Sequence, residues 1–461
     1  MQQLRIVVLS PPFYSHFGPL MALSRALRDA GADVVVGCSR DFESEICRHS
    51  FGFAEVQINR NANTGQAAAT RQAEEEQQRL REFFDATCRG PIDTLRTQTR
   101  HRFADMLANP EELLQRIAEL QSQLQPQLWI VDQLSYGATL ALTAHGLRFV
   151  TFCPPHPLSI PAPDAVYGVP PHWPQPFSID AQQLSLLQSE ARELQQRFTQ
   201  RFNQLLAPYG KQVVNAFALT SEDLIVHNYP EFGRTREPAA QRTTRLYCGY
   251  CFVPDNDKAA ESAGAPDGTL GPAAAGSAER FREPQQIVIA LGTFLAARSD
   301  VLITLGRQLR KRYPRAHIAI GAGEDADTVH RAVQQPALVQ PFIPQRQLLR
   351  RADLFIHHGG VSSFTESIYF GVPMIVLPFS SDQFNVAADV ECSRIGAVLD
   401  PNNLSPQQLD AAIARALSAE SRQALSRFTH QLRSRGPAWA AAAVMALLRA
   451  EQATPRSHGQ R

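Results

Sequence analysis

The same opening occurs twice in this chain. Leu4-Arg-Ile-Val-Val-Leu-Ser10 is a short β-branched run, followed by a loop over 11–18. A helical pattern with Leu20, Leu23 and Leu27 on one face comes next, and then a second run, Asp33-Val-Val-Val-Gly37. Gln286-Ile-Val-Ile-Ala-Leu291 begins the other copy. Leu302, Leu305 and Leu309 share a face of its helix, and Ala316-His-Ile-Ala-Ile320 is its next run. Short continuous apolar runs of this kind are strands buried on both faces. Strands that alternate with helices make parallel sheets. Two βαβ openings therefore constrain the chain to α/β, with two doubly wound, Rossmann-like domains. Pro19 is expected in the first turn of the first helix, and Gly31 at its end.

Between the two openings the pattern is less regular. Residues 59–82 read as a polar helix after a mobile loop, 110–124 and 181–207 as helices, and Leu128–Asp132, Arg148–Phe152 and Asp223–His227 as strands. Residues 154–176 are crowded with proline and read as an extended loop. From 254 to 284 small and polar residues dominate, as in an interdomain linker. The expected division is a domain over 1–253, the linker 254–284, a second domain over 285–435, a helix over 436–451 and a frayed tail over 452–461.

Composition narrows the function classes. A net charge of +1 gives no bulk electrostatic reason to bind nucleic acid or an anionic membrane. No apolar run approaches the roughly 20 residues of a membrane span, and Met1–Ser10 reads as a first strand and not a signal peptide. Seven scattered cysteines argue against a disulfide framework and for a reducing, cytoplasmic setting. Cys248-Gly-Tyr-Cys251 is a single CxxC without the second pair that a zinc site needs. Asp325-Ala-Asp327 and Asp255-Asn-Asp257 read DxD, a pattern short enough to arise by chance, so no metal site is expected. Gly321-Ala-Gly323 lacks the third glycine of a dinucleotide fingerprint, since Ala326 stands there.

The richest segment is Asp353-Leu-Phe-Ile-His-His358-Gly-Gly360-Val-Ser-Ser363-Phe-Thr-Glu366. A strand ends in histidine, Gly359 and Gly360 allow close approach to the backbone, and Ser362 and Ser363 enter a helix. The free N–H groups and positive end of that helix suit a phosphate, to which His358 can add a donor. Glu366, a turn further on, can accept from a sugar hydroxyl. After Gly371-Val-Pro373 comes a strand and a polar loop with Asp382 and Gln383, acceptor and donor chemistry that also suits sugar hydroxyls.

Taken together, the run from Phe342 to Asn385 resembles the signature of nucleotide-sugar-dependent glycosyltransferases of the GT-B type, in particular the small-molecule family shared by plants and bacteria. The resemblance implies that His358 and Ser363 contact the donor's diphosphate, with Gly292-Thr293 as a further phosphate contact. Glu366 would hold the ribose, and Asp382 and Gln383 the transferred sugar. Phe342-Ile-Pro-Gln345 looks like the family's Trp-x-Pro-Gln element, with Phe342 stacking on the base. Ser362 departs from the Asn of plant members. His16-Phe-Gly-Pro19 looks like the family's His-x-x-Pro, whose histidine is the catalytic base, and Asp132 matches its carboxylate partner. Ser15 stands where members often have Gly.

What the resemblance implies is an inverting, metal-independent transfer from a UDP- or dTDP-sugar to a small apolar or aromatic acceptor. The nucleotide-sugar is a co-substrate and no cofactor is expected. The last helix is expected to pack back on the first domain. His156, Trp173 and Phe152, and more weakly His172, could line the acceptor pocket. Competing readings are a lipid-linked sugar transferase or epimerase on the same fold, a non-catalytic nucleotide-sugar-binding partner, and a nicotinamide oxidoreductase. The sugar, the acceptor and the oligomeric state are not legible in the sequence.

Overall fold

The computed structural model describes residues 4–59, 74–232, 243–252, 283–333 and 337–453. The expected linker lies almost wholly outside the described residues, as do the loop before the polar helix and most of the tail. The chain forms two sheets in which every pairing is parallel. The first has β1 (Arg5–Leu9), β2 (Asp33–Cys38), β3 (Gly52–Glu55), β4 (Leu128–Asp132), β5 (Phe149–Cys153), β6 (Leu224–His227) and β7 (Thr244–Tyr247). The second has β8 (Gln286–Ala290), β9 (His317–Gly321), β10 (Ala337–Gln340), β11 (Leu354–His357), β12 (Met374–Val376) and β13 (Gly396–Val398).

The spatial orders are β3-β2-β1-β4-β5-β6-β7 and β10-β9-β8-β11-β12-β13. Each order reverses at the strand that opens its half. The reversal leaves a crevice at the carboxyl ends of β1 and β4, and of β8 and β11. The central strands are closed on both faces: Ile6, Val7, Val8 and Leu9, and likewise Ile287, Val288 and Ile289, have no exposed surface. The α/β class and the two-Rossmann architecture are those expected from the repeated opening.

Three local features differ from the reading of the sequence. The first helix runs Tyr14–Asp29, so Pro19 lies inside it and not in its first turn. Pro11 and Pro12 end the strand early, and the N–H groups of His16 and Phe17 both donate to the Phe13 carbonyl, which starts the helix ahead of the proline. His16 consequently sits in the first helical turn. A helix over Pro91–Met106 was not anticipated; its apolar face is weakly patterned and it opens on a proline at its first position. The edge strand β7 is only four residues long and half-buried at two of them, too short to show a period.

The helix Pro437–Ala453 lies against the helix Tyr14–Asp29 of the first domain. Ala440, Ala441, Val444, Met445 and Leu448 enter the same core as Phe17, Leu20 and Leu23. Cys248 and Cys251 are buried in this core with their sulfurs 3.6 Å apart and unjoined. No helix among the described residues is long and apolar enough to cross a membrane.

Candidate active site

On the first sheet, the first turn of the helix that follows β1 carries His16 and the end of β4 carries Asp132. Because β1 and β4 are adjacent and in parallel register, both side chains emerge at one edge. His16 Nδ1 lies 2.9 Å from Asp132 Oδ2. Asp132 is fully buried, and its other oxygen accepts the N–H of Leu134 at 2.8 Å, so the carboxylate cannot turn away from the ring. Burial of the imidazole would lower its pKa. The charge of Asp132, the hydrogen bond to it and the more distant charge of Asp382 outweigh burial, and the pKa is raised from its usual value. With Nδ1–H donating to Asp132, Nε2 is left with a lone pair.

On the second sheet, β11 ends at His357 and the helix Val361–Phe370 follows the glycine pair. Its N-cap is Gly360, which offers no side-chain cap, so the first-turn amides are left for other partners. The His358 ring is wedged between glycines. A Cβ on Gly292 would come within 2.7 Å of its Cε1, and one on Gly360 within 2.4 Å of its Nε2. Gly359 has φ +89°, and Gly292 φ +76°, conformations that L side chains rarely adopt. Burial pushes the His358 pKa down to about 4, against a small opposing backbone contact with Ala290, so the ring is neutral at pH 7. His357 is fully buried, stacks on Phe355 at 4.7 Å and accepts the Gly359 N–H at Nδ1, which braces the glycine turn.

Gln345 donates to both Ser363 Oγ, at 3.2 Å, and Glu366 Oε2, at 2.6 Å, and so joins three of the expected donor contacts into one cluster. Arg346 Nε is 3.9 Å from Glu366 Oε1. Phe342 stands free nearby, 62% exposed, a flat surface open to a ring. Thr293 is exposed just after β8, and Ser362 is half-buried at the helix entry.

Asp382 and Gln383 follow β12 and part company. Gln383 is turned inward: its Oε1 accepts the N–H groups of Phe379 and Ser380, and its Nε2 donates to Ser380 Oγ. It braces the loop. Asp382 caps the helix Gln383–Ser393 without a side-chain bond to it, and Oδ2 accepts the backbone N–H of His156 at 2.9 Å.

The expected acceptor-lining residues need correction. Phe152 is fully buried in the core of the first domain, because it points from β5 into the layer beneath the sheet. His156 also has no exposed surface; Nε2 lies 2.9 Å from Asp389 Oδ2 and Nδ1 accepts the Leu158 N–H. Trp173 packs on Phe384, with ring centroids 5.1 Å apart. His156 and Trp173 both meet the second domain; His156 is enclosed there, whereas Trp173 is half-buried. His172, by contrast, is exposed.

Other contacts across the domains escaped the sequence. The Gln98 side chain donates to Ser381 Oγ at 2.9 Å and accepts the Ser381 N–H at 3.2 Å, from a helix that the sequence did not reveal. Tyr229 donates to Asp389 at 3.0 Å and stacks on Phe364. The one legible signal was on the helix itself: residues 382 and 389, seven apart, share a face. Among the described residues no three His, Cys, Asp or Glu side chains gather as a metal site would need. Asp255 and Asp257 lie outside the described residues.

Comparison with known proteins follows this division. Residues 317–439 match the family model described as erythromycin biosynthesis protein CIII-like, C-terminal domain. An uncharacterized UDP-glucosyltransferase of Bacillus subtilis, YdhE, is 31% identical over 140 residues, 30% of this chain and 35% of the relative. The demethyllactenocin mycarosyltransferase of Streptomyces fradiae is 26% identical over 164 residues, 35% of each chain. The chain thus aligns with about a third of the length of these curated relatives. Solved structures match throughout. The glycotransferase of kitacinnamycin has a TM-score of 0.66 at 19% identity, covering 97% of this chain and 100% of its own. The spinosyn rhamnosyltransferase SpnG has a TM-score of 0.58 at 17% identity, covering 96% and 100%. The chain has the two-domain GT-B fold of natural-product glycosyltransferases, and its residues 317–439 carry an EryCIII-like C-terminal domain.

Proposed function

We propose that this protein is a glycosyltransferase that moves a sugar from a nucleoside diphosphate to a hydroxyl of a small, apolar natural product. The observation that carries the reading is the His16–Asp132 pair, on the same cleft as an uncapped Gly-Gly helix entry. One edge holds a base, the other a place for a diphosphate. The charge of Asp382, from the second domain, contributes to the raised pKa of His16, which supports placing both edges at one reaction centre.

His16 Nε2 takes the proton of the acceptor hydroxyl, and Asp132 steadies the imidazolium that forms. The acceptor oxygen bonds to the anomeric carbon from the face opposite the diphosphate, and the bond from that carbon to the phosphate oxygen breaks. Configuration inverts, and the nucleoside diphosphate leaves with the electron pair. Its growing charge meets the amides of the helix Val361–Phe370, neutral His358 as a hydrogen-bond donor, and Thr293. This arrangement supplies the stabilisation without a metal. Glu366, oriented by Gln345, suits the ribose hydroxyls, Phe342 the base and Asp382 the sugar.

Neighbours of the same fold have been crystallised with thymidine diphosphate and with a spinosyn aglycone, and curated relatives are named UDP-glucosyltransferases. Both UDP and dTDP therefore belong in the test. Thermal unfolding with UDP, dTDP, GDP and NAD, without metal, is the measurement. A ligand at a hundred times its Kd adds about 2.7 kcal/mol to the unit that binds it. Stabilisation by UDP or dTDP, followed by acceptor-dependent release of that nucleotide, is the expected result. A shift with NAD alone would overturn it.

A further inference from the structure

The proline-rich segment after β5 ties the domains together, and it does so on one helix of the second domain. Asp382, at the cap of the helix Gln383–Ser393, and Asp389, two turns on, lie on the same face. His156 reaches both. Its backbone N–H donates to Asp382 Oδ2 and its Nε2 to Asp389 Oδ2, each at 2.9 Å. The tautomer follows from the other ring nitrogen. Nδ1 accepts the Leu158 N–H at 3.1 Å, so the proton is on Nε2 and faces the carboxylate.

Both hydrogen bonds to the Asp389 carboxylate come from the first domain, from His156 and from the Tyr229 hydroxyl. His156 and Tyr229 have no exposed surface, and Asp389 has 3%. A carboxylate buried this deeply is tolerated only while it is paired. The pairing therefore exists only with the domains together. Around it, Trp173 and Phe177 pack on Phe384, and the Gln175 N–H donates to Glu391.

Asp382, in turn, has no side-chain bond to the helix that it caps. One oxygen is fixed by His156, which leaves the other oxygen with a set direction. We propose that His156 is a positioning residue: its ring, held by Asp389, locks the domains together and so keeps its backbone N–H against Asp382, which orients that carboxylate toward the hydroxyls of the transferred sugar. The inference rests on the glycosyltransferase reading. It assigns to His156 the recognition of the sugar half of the donor, and not of the nucleotide half.

The test separates the two halves. Affinity for UDP and dTDP is measured by calorimetry, and KM for the corresponding nucleotide-sugars by nucleotide release. His156→Ala keeps the backbone N–H that meets Asp382 but loses the ring's bond to Asp389 that holds this N–H in place; the nucleotide-sugar KM is expected to rise about tenfold, the scale of one lost hydrogen bond to a charge, with nucleoside diphosphate affinity unchanged. His156→Gln, which keeps an N–H donor, should recover part of the loss. Tyr229→Phe removes only a hydroxyl and is expected to shift KM in the same direction; it serves as the probe if His156→Ala does not fold. Equal loss for both ligands, or an unchanged KM in the folded variants, would overturn the role. Wild-type protein that binds neither nucleotide would instead remove the glycosyltransferase reading, and this inference with it.

Discussion

His16 and Asp132 stand 116 positions apart in the chain and 2.9 Å apart in space. The contact is made where two adjacent parallel strands end at the same edge: β1 leads into the helix whose first turn carries His16, and β4 ends at Asp132, whose carboxylate Leu134 holds from behind. A histidine held in this way has a fixed tautomer and a free Nε2, the condition for a base that works near neutral pH.

Replacing the base gives the first prediction. His16→Ala is expected to lose about 10²-fold or more in turnover. Its affinity for UDP or dTDP, measured by calorimetry, should match the wild type. Parallel loss of both would show that His16 shapes the donor site and does not take the proton.

The pH profile follows from the environment of His16. Its pKa is raised, so the active, neutral imidazole becomes abundant only above the ordinary value of about 6.5. The acid limb of kcat/KM is expected to lie above that value. In Asp132→Asn, burial acts without the neighbouring charge, and the limb should move to lower pH while turnover falls. The stability linked to the pair has the opposite sense. It is fully present below the unfolded-state pKa and is lost as pH rises through the raised one. A limb that stays in place in Asp132→Asn would disconnect the pair from the rate.

His358 has the reverse linkage. Its pKa falls to about 4 on folding, so the unfolded chain binds more protons between about 4 and 6.5. Its contribution to stability is complete above that window and declines as pH drops through it. Melting temperature should fall on acidification across this range, and less steeply in His358→Gln. Buried His357 and His227, both shifted well down, act in the same direction.

Gly360 tests the phosphate site by geometry alone. A methyl group there would come within 2.4 Å of His358 Nε2 and must displace the ring. Gly360 itself has an ordinary φ of −62°, so the backbone accepts alanine without strain. Gly360→Ala is therefore expected to weaken nucleoside diphosphate binding about tenfold or more, the scale of one charge-assisted contact. Because the ring is held from both sides, the overpacking should also lower the melting temperature, at a cost of about 1–3 kcal/mol. Calorimetry and thermal unfolding on the same sample check both halves.

Metal independence is checked directly. Turnover with the natural or a surrogate acceptor is expected to survive dialysis against EDTA. Abolition by EDTA and recovery with a divalent cation would mean that the uncapped helix does not suffice for the leaving diphosphate.

The parts of the site written in consecutive residues were legible. A strand, a glycine pair and a hydroxyl-rich helix entry place Gly359, Gly360, Ser362 and Ser363 without knowledge of anything else. The strand runs of both sheets were legible for the same reason. What depends on distant segments was not. His156 looks like one histidine among prolines until Asp382 and Asp389 arrive from more than 220 residues away. Gln98 lies on a helix with little amphipathic pattern, and its partner Ser381 is 283 residues distant. Phe152 misled because an aromatic residue at a strand end can face either the crevice or the layer beneath. Pro19 misled because proline is tolerated inside a helix at the loss of one hydrogen bond, which its preference for the first turn conceals.

The helix Pro437–Ala453 completes the core of the first domain, with Val444 and Met445 against the helix that carries His16. This helix is translated after the whole second sheet. During synthesis, the core of the domain that begins first lacks Ala440, Ala441, Val444, Met445 and Leu448 until the other has left the ribosome. In topological terms the second domain is an insertion within the first. A stop codon placed before residue 437 would injure the first domain, which holds the His16–Asp132 pair, and spare the half that lies next to the cut.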